Sequence, residues 1–237
     1  EKSSMMQRTE EMVREGLRIV REKAARAAAQ SGRSLSEIRI MAVTKTVPAF
    51  LVNAAIADGI CLLGENRAQE LIEKYDDYQL SGVQIHFIGH LQTNKVKVII
   101  DKVSCIESVD SFHLIDEIER QAKRIGRSMD VLLEVNISAQ TSKTGFTSAE
   151  VQKAAEYVEN CSHLHLKGLM CIPDQEESHA AFLRMRELFE KMKVVYPGME
   201  TLSMGMSGDY EDAICCGSTE IRIGSAIFGK REYGRLS

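Results

Sequence analysis

"MAVTKTVPAF" (residues 41–50) places a lysine where a core strand stops. Residues 38–44 read as a buried strand, which delivers Lys45 and then breaks at a Thr-Val-Pro turn. Lysine is rarely buried, and one at the mouth of a core strand points to chemistry rather than structure.

Seven similar apolar runs follow: "ICLLG" (60–64), "QIHFIG" (84–89), "VSCIESV" (103–109), "DVLLEVNI" (130–137), "LHLKGLMCI" (164–172), "TLSMG" (201–205) and "EIRIG" (220–224). Amphipathic stretches lie between them at 49–58, 67–80, 112–125, 148–160 and 177–195. From Ile40 to Arg222 is 182 residues over seven intervals, or 26 each. Strands separated by helical stretches at that spacing imply right-handed βαβ crossovers and a parallel sheet. Eight such units near the ~250 residues typical of the fold predict an α/β chain closed into a (β/α)8 TIM barrel. An open doubly wound sheet is the alternative, since periodicity does not prove closure. No Pro/Gly/Ser linker divides the chain, so one domain over 1–237 is expected, with a helix within residues 1–31 packed on the barrel.

Composition excludes several classes. The 237 residues are 44% hydrophobic and 27% charged, ordinary for a globular protein, and a net charge of -4 gives no reason to expect nucleic acid or an anionic membrane. No apolar run approaches the ~20 residues of a membrane span, and no signal-peptide pattern opens the sequence. A cytoplasmic, monomeric protein is expected. The six cysteines show no C-x-x-C or zinc-finger spacing and read as reduced, structural thiols. Glu65, Glu134 and Asp209 are scattered carboxylates, so no metal site is expected.

Active sites of this fold sit on the loops after the strands. Lys45 follows the first, "GENRAQE" (64–70) the second, "MGMSGD" (204–209) the seventh and "RIGSAIFG" (222–229) the eighth. Barrels often bind phosphate through the last two of these loops. Ser207 lies in one, and Gly224 and Ser225 at the expected helix start of the other. A phosphate cradle facing an amine suits pyridoxal 5′-phosphate (PLP) with Lys45 as its Schiff-base lysine. It equally suits a Schiff-base aldolase without PLP. Arg222 alternates with Ile221 and Ile223 and should point into the barrel.

"AVTKT", "GENRAQE", "HFIGHLQTNK", "VNIS…KTGF", "GLMCI", "MGMSGDYEDAI" and "STEIRIGSAIFG" together resemble, in order from about residue 38 to 229, the YggS/PROSC family of PLP homeostasis (PLP-binding) proteins. The resemblance implies the alanine-racemase N-terminal-domain-like barrel of fold type III PLP proteins, without the second β-domain. It implies covalent PLP binding and an influence on vitamin B6 and amino-acid balance, with no established catalytic reaction. Apo-PLP enzymes are the implied recipients. Lys45 becomes the PLP lysine, Ser207, Gly224 and Ser225 surround the phosphate, and Arg222 faces the pyridine nitrogen. Thr44 stands where serine is frequent in this family. A racemase or decarboxylase of a small amino acid is the alternative. A racemase needs an acid–base partner opposite Lys45, and the sequence ends 13 residues after Gly224, too soon for the domain that supplies one in alanine racemases.

Four residues have a plainer reading beside the functional one. Asn66 either lies by the cofactor or caps the next helix, as asparagine prefers. His86, in an apolar strand, reads as a core histidine. Lys143 reads as a solvated loop lysine that could have a second role toward PLP. Met185, Met192 and Met199 follow helical spacing and read as packing.

Overall fold

Strand β1 (Arg39–Val43) pairs in parallel with β2 (Leu62–Glu65) on one side and with β8 (Glu220–Ile223) on the other, which closes the sheet. The computed structural model describes residues 2–138 and 143–230. Between these strands run β3 (Gln84–Phe87), β4 (Cys105–Val109), β5 (Met129–Glu134), β6 (Leu164–Met170) and β7 (Thr201–Ser203), each hydrogen-bonded to its sequence neighbours. The barrel is therefore closed, and the open doubly wound alternative is excluded.

The crossovers are α2 (Ala49–Ala57), α3 (Ala68–Lys74), α4 (Val96–Ile99), α5 (Phe112–Arg124), α6 (Ser148–Glu159), α7 (Ser178–Val195) and α8 (Tyr210–Cys215). Helix α1 (Lys2–Gln30) precedes the barrel and α9 (Ser225–Phe228) follows β8. Each of the eight apolar runs contains a strand. The stretch at 67–80 stays α-helical only to Lys74 and continues as a 3-10 turn at Tyr75–Asp77.

Side-chain alternation divides the core. Met41, Leu62 and Ile88 pack together inside the barrel, as do Cys105, Leu132 and Met170. Their sequence neighbours Ala42, Leu63, Val131 and Leu133 join the layer between strands and helices. Helix α1 buries Val13, Leu17, Val20 and Ala24 along one face, spaced as a core-facing helix requires, and packs on α8 and α9. Gly16 permits that approach: a Cβ there would lie 2.7 Å from the carbonyl oxygens of Ala226 and Ile227.

Met185 and Met192 are buried on α7; Met199 is also buried but lies beyond the helix end, so helical spacing does not explain it. All six thiols are free. Cys61 is exposed, contrary to its apolar context, because β2 starts one residue later. Among the described residues no helix is long and apolar enough to cross a membrane.

Candidate functional site

The end of β1 is held in an unusual conformation. Thr46 has φ 61°, a left-handed setting that a β-branched residue rarely adopts and that costs about 1–3 kcal/mol. Two residues of α3 stabilise it. Glu70 Oε2 accepts the Thr46 N–H at 2.8 Å, and Lys74 Nζ donates to the carbonyls of Thr44 at 2.9 Å and Val47 at 2.7 Å. The two side chains pair with each other at 2.8 Å and are largely buried. This clamp fixes the backbone on both sides of Lys45. The Lys45 amine itself has no hydrogen bond or ion pair among the described residues.

Across the barrel mouth the loops after β7 and β8 are joined. Ser207 Oγ accepts the Ala226 N–H at 3.1 Å, and Gly205 O accepts the Arg222 N–H at 2.9 Å. Gly205 has φ +104°, which favours glycine, and a Cβ there would meet Ala213 Cβ at 2.7 Å. Gly224 is different: its φ is -110°, and a Cβ would find only ordinary contact with Val43 at 3.7 Å. Nothing in the backbone demands glycine at 224, so its use there is to leave space.

That space is a cavity of about 600 Å³ lined by Val43, Ser207, Gly208, Arg222, Gly224 and Ser225, among others. Among the described residues the N–H groups of Ser207, Gly208, Gly224 and Ser225 have no hydrogen-bond acceptor. Four free amides and two hydroxyls beside a buried arginine form a donor set suited to an anion such as phosphate. Arg222 points inward as its alternation predicts, 3% exposed, with Nη1 donating to Ser203 Oγ at 2.6 Å and Nη2 to Cys171 O at 2.7 Å. Those two bonds leave guanidinium donors for a ligand.

Of the expected site residues, Ser207, Arg222, Gly224 and Ser225 share this cavity, while Lys45 and Asn66 do not line it. Lys45 follows the cavity-lining Val43 by two residues, one pleat repeat further toward the mouth. Asn66 does not cap α3, whose N-cap is Arg67; its Oδ1 is buried with no hydrogen-bond partner among the described residues. A buried, unsatisfied amide oxygen at a strand's C-terminal end favours the ligand-facing reading.

Next to this site, Lys143 pairs with Asp174 at 2.7 Å and donates to Ile172 O at 3.2 Å, so it is not freely solvated. It lines a second cavity of about 310 Å³ with Glu134 and Asn136. Burial raises the pKa of Glu134, opposed by a hydrogen bond from Thr144 at 2.8 Å. His86 lies at the other end of the barrel, its Nδ1 2.6 Å from Glu107 Oε2, and takes no part in the mouth.

Sequence reading missed Glu70 and Lys74. Their i, i+4 acid–base spacing, just after "GEN", was the available signal. The strained φ of Thr46 has no counterpart in the sequence.

The alanine racemase N-terminal-domain family matches residues 19–232. The pyridoxal phosphate homeostasis protein of Haemophilus influenzae is 36% identical, covering 93% of this chain and 97% of its own. A crystal structure of an unknown protein from Bifidobacterium adolescentis is 33% identical with a TM-score of 0.87, covering 93% of this chain and 96% of that one. PipY of Synechococcus elongatus PCC7942, solved with PLP bound, is 29% identical with a TM-score of 0.75, covering 87% of this chain and 100% of that one. Matched from end to end of the barrel by relatives of the same length, this chain belongs to the pyridoxal phosphate homeostasis family, built on the alanine racemase N-terminal domain.

Proposed function

We propose that this protein binds PLP at the C-terminal mouth of its barrel and acts as a PLP carrier rather than as an enzyme. The supporting observation is the set of unpartnered N–H groups and hydroxyls on the 600 Å³ cavity, at the barrel end where Lys45 presents an unpaired amine. Residues 1–237 serve as one PLP-binding unit on this reading. Lys45 holds the aldehyde carbon as a Schiff base, Ser207, Gly208, Gly224 and Ser225 hold the phosphate, and Asn66 contacts the cofactor. Arg222 meets the ring nitrogen.

Bound PLP supplies an electron sink for carbanions at an amino-acid α-carbon. Arg222 works against that use, because a guanidinium only donates hydrogen bonds and leaves the ring nitrogen without a proton of its own. This favours storage and delivery over racemisation, with vitamin B6 and amino-acid balance as the consequence and apo-PLP enzymes as recipients.

The test is delivery. Apo-enzyme should regain activity from the loaded protein even when an aldehyde scavenger removes free PLP, and faster than from free PLP at equal concentration. Recovery limited to the rate of release into bulk solution would reduce the protein to a buffer. Racemisation of alanine or serine at an ordinary turnover of about 10 per second would make it an enzyme.

A further inference from the structure

On the outer surface, the first turn of α7 meets α8 through three side chains of different chemistry. His179 Nδ1 lies 2.9 and 3.0 Å from the two carboxylate oxygens of Asp212. Cys216 Sγ lies 4.0 Å from the same Nδ1 and 3.8 Å from Asp212 Oδ1. Asp212 and Cys216 are one helical turn apart, so both project toward His179. None of the three belongs to the barrel-mouth cavity.

We propose that His179, Asp212 and Cys216 form a zinc(II) site that bridges α7 and α8. Zinc–nitrogen, –oxygen and –sulfur bonds of about 2.0–2.3 Å at tetrahedral angles put ligand atoms roughly 3.4–3.6 Å apart. The observed separations of 2.9 to 4.0 Å straddle that range, so rotamer adjustments of a few tenths of an ångström admit the ion. A thiolate, an imidazole and a carboxylate together select zinc over magnesium or calcium, which prefer oxygen alone. The side chains of His179 and Asp212 are 67% and 38% exposed, so the ion has an entry path and a fourth position for water.

The proton balance is simple. Without metal, Nδ1–H donates to Asp212. On binding, that proton moves to the exposed Nε2 or to solvent, the Cys216 thiol proton leaves to buffer, and Nδ1 and Sγ each give a lone pair to zinc. No electron changes hands. Gln175, four residues before His179, and Gly208, four before Asp212, both line the mouth cavity, so the ion would tie two of its walls together.

The experiment is a competition titration of zinc ion against a chromophoric zinc indicator, using the full chain as purified and a non-coordinating reductant. One zinc per chain with micromolar or tighter affinity is expected. His179→Ala and Cys216→Ala should each weaken binding at least tenfold, and Cys215→Ala less than twofold. Cobalt(II) should give a near-ultraviolet thiolate charge-transfer band that Cys216→Ala removes. His179 is largely exposed, so its variant should keep native circular dichroism even if the buried Cys216 variant does not. Absence of stoichiometric zinc binding, or His179→Ala binding as tightly as the parent, would overturn the proposal.

Discussion

The two ends of the barrel both hold polar groups without partners, but only one has room beside them. At the C-terminal end the free amides of Ser207, Gly208, Gly224 and Ser225 face a cavity of about 600 Å³. At the N-terminal end Glu107 and Glu220 also have carboxylate oxygens without hydrogen bonds among the described residues, yet the adjoining cavity is about 50 Å³. Strand β8 contributes to both through inward residues two apart, Glu220 below and Arg222 above. An unsatisfied group beside open volume awaits a ligand, whereas one in a closed space must change its protonation instead. That difference separates a site from a structural polar core more surely than residue type does.

The largest effect should come from Lys45. Lys45→Ala should abolish covalent retention of PLP after borohydride reduction, read by mass, with native circular dichroism. Full trapping at another lysine would move the site away from β1. Next, Gly224→Asp should weaken PLP binding at least tenfold, about 1.4 kcal/mol, by filling the cavity and repelling phosphate. Pyridoxal without phosphate should be nearly insensitive to the same change. Equal loss for both ligands would place the phosphate elsewhere.

A smaller effect is expected from the clamp. Lys74→Ala leaves the Val47 carbonyl without a donor among the described residues, while the Thr44 carbonyl keeps the Val47 N–H and Glu70 keeps the Thr46 N–H, at a cost of about 1–3 kcal/mol in urea unfolding. Covalent retention should survive, because Lys45 is still present, while PLP affinity falls by less than in Gly224→Asp. A variant as stable as the parent would show that the turn after β1 is held by Glu70 and its own backbone hydrogen bonds rather than by Lys74.

Much of this architecture is legible in the sequence because it follows from periodicity. The run at 38–44 and its seven successors repeat at a spacing that a βαβ crossover dictates, and Arg222 points inward because Ile221 and Ile223 point outward. Closure was legible only from the count of eight units and not from their periodicity, since the pairing of β1 with β8 joins residues about 180 apart. Nor were the clusters built across elements. His179 is 33 residues from Asp212, and His86 is 21 from Glu107, so neither grouping has a motif spacing. The capping alternative for Asn66 could be set aside only once the N-cap of α3 proved to be Arg67.

The smallest effect should come from the closed end, and it can be separated from the others by its pH dependence. Burial, then the neighbouring Glu107 carboxylate, pushes the Glu220 pKa well above the ordinary 4.5, with His86 and Arg39 pulling more weakly the other way. Folded Glu220 therefore keeps its proton at pH values where the unfolded chain has released it. Stability from this group is highest below about pH 4.5 and falls as pH rises. His86 has the opposite sign. Burial lowers its pKa from 6.5 to about 4, so its contribution is present above pH 6.5 and is lost as pH falls toward 4. Glu220→Gln keeps the shape, removes the first dependence and retains the second. Its Tm should match the parent's near pH 4 and exceed it by a few degrees at pH 7 to 8, since 1 kcal/mol moves Tm by about 2–4 °C at this size. PLP affinity should not change, because Glu220 lies at the far end of β8 from the mouth. A gap that narrows with rising pH, or a variant less stable than the parent at pH 7, would mean that Glu220 is ionised. It would then be paired with Arg39, whose Nη1 is 3.9 Å away. In that case the closed end would be held by a charge pair, and the contrast with the mouth would rest on volume alone.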